Sequence, residues 1–256
     1  MIDGFLLLTP LLLLAVVALL GFVGCDQVLG LTQAYQGIGY VNTSVLVEPA
    51  NANTVTAVLG GLSGGELVVV TLQWSGNAPT FSPSLTSAAG PYTWELEATA
   101  PPKKISDIQV FTAINADNST QFAVKVSLSS VVPWSVCLTA FSIVDTNEPT
   151  YSPQTVQAFT SANSPAQTSP IGLGDSDALY AIGIAANSVG TILSALGNLG
   201  AGTSFTSDYP GTTNILVEHR FPSGGNQSLP AVVNNTQNAN ANLFVFGMGI
   251  KAQTHS

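Results

Sequence analysis

From Gly39 onward, apolar stretches of 5–12 residues recur between clusters of Gly, Pro, Asn and Ser. Stretches that short do not sustain ordinary helices, and their punctuation marks turns, so the chain is patterned to fold as many short strands. The clearest cover residues 38–47, 54–59, 66–74, 92–98, 106–114, 121–128, 134–144, 155–159, 178–186, 214–220 and 243–251. Some alternate, with Phe122, Val124 and Val126 set against Ala123, Lys125 and Ser127, which fits a strand with one wet face. Others, such as Leu67-Val68-Val69-Val70, are continuous and fit strands covered on both faces. Residues 188–199 are too rich in glycine to assign to helix or loop. The expected fold is all-β: a jelly-roll-like antiparallel β-sandwich over residues 37–256, preceded by a single N-terminal hydrophobic α-helix within residues 1–36.

Only 7% of residues are charged, against about 25% in an ordinary soluble protein. With five Lys and Arg and a net charge of −9, the chain has no cationic cluster with which to bind nucleic acid. Its polar surface must come from Ser, Thr, Asn, Gln and Gly, a composition suited to an extracellular setting or a cell surface. The hydrophobic share of 46% separates it from disordered chains. Two cysteines, Cys25 and Cys137, permit one disulfide. Cys137 falls inside an expected strand, where a buried free thiol packs as a small hydrophobe.

The N-terminal segment is of a different kind. Residues 5–24 are apolar apart from Thr9, and Asp3 is the only charge before them. Twenty helical residues would span about 30 Å, the thickness of a hydrocarbon core. Thr9 is a good N-cap and Pro10 a good first helical residue, so the helix is expected to start there and to run past Cys25 towards Tyr35. Starting at Pro10, its apolar part is about 22 Å long, short for a span. The first cation in the chain is Lys103, so the segment lacks the basic start of a secretory signal, and no nearby charge orients an anchor. Ala18, Gly21 and Cys25, with Ala15 close by, give one helix face small side chains that let helices approach closely. Pro10, Leu14, Ala15, Ala18, Gly21, Phe22 and Cys25 are therefore the candidate assembly or anchor residues.

An apolar helix followed by a β domain resembles the plan of pilins, whose N-terminal helices bundle into a filament core. Gly4-Phe5 looks like the Gly-Phe junction of type IV prepilins, although Asp3 replaces their basic residue and Thr9 stands where they carry Glu. Phe22-Val23-Gly24-Cys25 resembles a lipobox, with Phe where Leu is usual. The body is similar to a loosely defined family of bacterial secreted and surface β-sandwich domains. The resemblance rests on GELVVVTLQW (65–74), SAAGPYTWELE (87–97) and LTAFSIVDTNEP (138–149). It implies an extracellular or surface role and supplies no ligand or functional residue.

No motif in the body specifies a catalytic site. Gly61-Leu62-Ser63-Gly64-Gly65 formally fits G-x-S-x-G, but a strand follows it where a nucleophile elbow needs a helix. Glu218-His219-Arg220 reads as an exposed ion pair, with His219 on the opposite face. Asp175-Ser176-Asp177 reads as a turn, with Ca²⁺ ligation as the sharper alternative. Gly64-Gly65-Glu66 and Gly174-Asp175-Ser176-Asp177 both place an acid before an apolar strand, a hint of internal repetition that ordinary strand starts also explain. Trp74, at a strand end before Ser75-Gly76-Asn77, is the best candidate for an exposed ring that stacks on sugars, whereas Trp94 and Trp134 read as core. Asn42, Asn118, Asn226 and Asn234 head N-x-S/T sequons.

The expected function is accordingly a non-enzymatic structural subunit of an extracellular, pilus-like filament. It would bind copies of itself through the N-terminal helix and lie in a membrane before assembly or as a permanent anchor. No cofactor or metal is expected. The alternative is a membrane- or lipid-anchored adhesin or carbohydrate-binding module on the cell surface, with surface glycans as partners.

Overall fold

The computed structural model of the chain describes residues 37–48, 54–74, 95–99, 107–115, 120–127, 134–160, 164–186, 199–201, 205–209, 215–222, 226–235 and 241–253. These residues form an all-β fold in antiparallel sheets. The N-terminal helix expected within residues 1–36 lies outside them, as do residues 188–198 of the glycine-rich segment.

Two five-stranded antiparallel sheets carry the fold. The first has the order β1 (Gly39–Glu48), β7 (Trp134–Ser142), β3 (Leu67–Trp74), β5 (Asp107–Ile114) and β4 (Glu95–Thr99). The second has the order β13 (Thr206–Tyr209), β14 (Ile215–Arg220), β11 (Ala178–Ala186), β17 (Ala241–Ile250) and β8 (Thr150–Thr160). Their facing sides share one core. Leu67, Val69, Ile108, Val110, Cys137 and Phe141 from the first sheet meet Tyr180, Ile182, Val217, Phe244, Phe246 and Met248 from the second.

The outer faces are covered as well. A ribbon of β2 (Thr54–Gly60) and β6 (Gln121–Ser127) lays Ala57, Leu59, Phe122 and Val124 against Val68, Val70, Leu72, Val136 and Leu138 of the first sheet. On the second sheet, β9 (Pro165–Gln167), β12 (Leu199–Ala201) and β16 (Val232–Asn235) form a three-stranded sheet. From it Ala166 and Val233 pack on Ala181, Leu216, Leu243 and Val245. A short pair, β10 (Ile171–Leu173) and β15 (Gln227–Leu229), adds Ile171 and Leu173 against Leu179. This layering is why Leu67-Val68-Val69-Val70 is a continuous apolar run: every residue of β3 is buried, Thr71 and Gln73 included. It also explains Cys137, a free thiol 1% exposed between the sheets.

Trp74 corrects an expectation. Its side chain follows Val68, Val70 and Leu72 onto the outer face of β3, and it is 5% exposed beneath the covering ribbon. A central strand roofed on both sides leaves its last residue no open ring face.

Glycines set how closely the outer layer approaches. A Cβ added at Gly183 would sit 2.6 Å from both methyl carbons of Val233, and one at Gly247 would sit 2.5 Å from the Ala231 Cβ. Substituting Gly183→Ala should therefore overpack this contact and cost about 1–3 kcal/mol. Adding Val233→Ala should recover part of that loss, since the two positions share one contact. Urea midpoints of the two single variants and the double variant measure this coupling, and strictly additive losses would contradict it.

Candidate functional site

Two acid-centred turns organise polar groups among the described residues. In the first, Gly60-Gly61-Leu62-Ser63-Gly64-Gly65 leads from β2 into β3. Gly61, Gly64 and Gly65 adopt φ of 80°, 105° and 80°, which side-chain-bearing residues rarely tolerate. The Glu66 carboxylate, 1% exposed, closes this turn. One oxygen accepts from the Ser63 backbone N–H and, at 2.8 Å, from its hydroxyl. The other accepts from Gly64 N–H at 2.8 Å and from Asn115 Nδ2 at 2.9 Å. Burial pushes the Glu66 carboxyl up, but the donors from Ser63 and Asn115 together outweigh it and hold the group below its ordinary value of 4.5. The G-x-S-x-G match is thus a strand-leading turn, and its serine hydroxyl is bound to a carboxylate.

In the second turn Asp177 plays the closing part. It accepts from Gly174 N–H at 2.9 Å, from the Tyr151 hydroxyl at 2.6 Å and from Ala252 N–H at 3.0 Å. Asp175 and Ser176 occupy the turn itself. Among the described residues no group of three or more His, Cys, Asp or Glu is placed to hold a metal ion.

A cavity of about 310 Å³ opens beside this turn, lined by Glu148, Thr150, Tyr151, Gly172, Gly174, Asp177 and Lys251. Its polar side chains are engaged with one another or with Asp145 and Glu97. Lys251 Nζ lies 3.1 Å from Glu148 and 3.3 Å from Asp145, and the Thr150 hydroxyl donates to Glu97 at 2.6 Å. Asp145 also caps the loop, accepting from Asn147 N–H at 2.9 Å and Glu148 N–H at 3.3 Å. Its carboxyl is held below the usual range, by the Asn147 N–H first, against a smaller effect of burial, and then by Glu148 N–H and Lys251. The same contacts, to Glu148 and then Asp145, raise the Lys251 ammonium. Tyr151 is pushed well above its ordinary value by burial first, then by its hydrogen bond to Asp177 and that group's charge. Chemically this is a clasp: it keeps the chain end, the loop before β8 and the 174–177 turn together.

The Glu218-His219-Arg220 cluster departs from the exposed ion pair expected of it. Glu218 is 0% exposed and His219 5%, because β14 lies between β11 and β13 with layers on both faces. His219 stacks on Tyr40 with ring centroids 5.2 Å apart and 14° between planes, and meets Phe141 edge-on at 6.0 Å. Phe221, 43% exposed, tilts over the imidazole at 4.6 Å. Only the apolar Ile215-Leu216-Val217 before it could have signalled this burial.

The other candidates are scattered. Asn42 is exposed on β1 and donates to the Gly60 carbonyl at 3.1 Å. Asn226 is exposed just before β15, whereas Asn234 is half-buried in β16 with a neighbour strand on each side. Asn118 and the helix candidates Pro10, Leu14, Ala15, Ala18, Gly21, Phe22 and Cys25 lie outside the described residues. Trp74, being buried, joins none of these groups.

No protein-family model matches the chain, and no curated protein matches it.

The Glu66 clasp carries a stability prediction. Glu66→Gln replaces one acceptor oxygen by a donor amide and removes the charge, so unfolding should become easier by about 2 kcal/mol. Because the folded carboxyl titrates below its ordinary value of 4.5, its contribution is complete above that value and fades as pH falls through the lower folded one. Denaturant titrations between pH 7 and pH 2 should show a larger acid-side loss in the natural chain than in the variant. Parallel profiles would refute the assignment.

Proposed function

We propose that this chain is a structural subunit of an extracellular, pilus-like filament. Its N-terminal hydrophobic segment bundles with copies of itself, and a jelly-roll-type β body faces outward. The carrying observation is that the body closes its own core. Each five-stranded sheet buries one face against the other sheet and the opposite face under a strand layer of the body. The uncharged run at residues 5–24 is therefore not required to complete that core, and its apolar surface is left for lipid or for other copies. The acids Glu66, Asp145 and Asp177 are engaged in holding turns and loops, which agrees with a structural role. The strand order β1-β7-β3-β5-β4, with β2-β6 as a facing ribbon, supports the jelly-roll reading. A carbohydrate-binding module is less well supported, since its best stacking candidate, Trp74, is buried.

Electron microscopy of the full-length chain tests this. Filaments are expected from the natural sequence, and Gly21→Leu, which widens the small-residue face, should shorten or abolish them while leaving the β signature in circular dichroism unchanged. A natural chain that stays a monodisperse monomer, with or without detergent, would overturn the proposal.

A further inference from the structure

The two acid-closed turns lead into equivalent strands. β3 and β11 are each the central strand of a five-stranded sheet. Aligned on the acids, GLSGGELVVV (61–70) falls on GLGDSDALYA (172–181). The chemistry aligns with it. Glu66 accepts from the backbone N–H of Ser63 and Asp177 from that of Gly174, in both cases three residues earlier. Leu67 and Val69, like Ala178 and Tyr180, face the shared core, while Val68 and Val70, like Leu179 and Ala181, face outward.

The correspondence extends to whole sheets. Replacing β1, β7, β3, β5 and β4 by β8, β17, β11, β14 and β13 converts the first sheet order into the second. Register is kept across it. Thr112 pairs with Val69 and Glu95, and His219 pairs with Tyr180 and Thr206. Leu67 pairs with Phe141, and Ala178 with Ile250. Both edge pairings shift at the same step, between Leu96 and Ala98 in one half and between Ser207 and Tyr209 in the other. The outer layers follow: β2 and β6 answer to β9–β10 and β15–β16, the second pair being interrupted near Pro170 and Pro230, which cannot donate to a ladder.

The segments after β7 and β17 then pair with each other. Val144 bridges Ala252 in antiparallel sense, Asp145 N–H donates to the Lys251 carbonyl and Gln253 N–H donates to the Ile143 carbonyl. Equivalent segments that meet antiparallel, each giving and taking one bond, are what a two-fold axis requires. Ile143, at φ of 61°, sits where the first half has one residue more than the second.

We infer that residues 37–145 and 150–253 are two copies of one module, and that the inner sheet face of each is an interaction surface whose partner is a second copy of that module, supplied here within the same chain. Face and register match between the halves although identity does not: Thr112 and His219, or Phe111 and Glu218, hold equivalent places with unrelated side chains. The inference stands independently of filament assembly.

The pseudo-two-fold axis makes a specific demand on connectivity. The link from Asp145 through residues 146–149 to Thr150 has its counterpart in a link from Gln253 to Tyr40. A full-length chain with its halves exchanged, ordered 1–39, 150–253, 146–149, 40–145, 254–256, should therefore fold, with the natural strand signature and one cooperative melting transition. In the natural order, a protease site inserted between Asn147 and Glu148 should allow the folded chain to be cut. After unfolding in urea and dilution, the two fragments should re-form a one-to-one particle eluting at the mass of the intact chain. An exchanged chain that stays unfolded, or fragments that elute separately after dilution, would overturn the inference.

Discussion

The burial of both faces of both five-stranded sheets is the constraint on which the rest of this structure depends. A sheet with one wet face tolerates alternation; one roofed on both sides needs apolar residues at consecutive positions. Leu67–Trp74 and Leu243–Ile250 meet that need with unbroken burial. Their backbone groups are paired on both sides, because β3 lies between β7 and β5 and β17 lies between β11 and β8. With most charge excluded from such a body, the few ionisable groups near it must be satisfied by fixed donors.

That condition accounts for the acids. Glu66 is buried yet ionised, because backbone and side-chain donors of one turn converge on it. Asp177 similarly draws the 174 turn, the Tyr151 hydroxyl and the chain segment at Ala252 to one carboxylate. These are positioning devices: each sets where a central strand begins and so which face its side chains take, since a slip of one residue would reverse all of them. His219 shows the complementary solution, a polar ring of the second sheet buried among Tyr40 and Phe141 of the first.

Much of the fold was legible from pattern. Each of the eleven apolar stretches overlaps a strand of the structure, from β1 to β17. The strands missed, β9, β10, β12, β13, β15 and β16, are three or four residues long. PAQ or QSL holds too few apolar positions to show a period of two. The candidate sites were less legible. Trp74 precedes a polar turn and read as exposed, and Glu218-His219-Arg220 read as a surface cluster, because local sequence does not record which layer will cover a strand.

The sequence alone determined strand content, the burial of Leu67–Val70 on both faces, the turn character of 61–65 and 175–177, and the contrast between an uncharged N-terminal run and a β body. Period, glycine placement and charge are local properties, and they act over a few residues. Only the tertiary structure decided that the body is two like-ordered halves packed inner face to inner face, that Trp74 and Glu218 lie inside, and that two carboxylates far apart in the chain do the same work. Those outcomes depend on which sheet meets which, a relation between segments roughly a hundred residues apart that no window of the sequence contains.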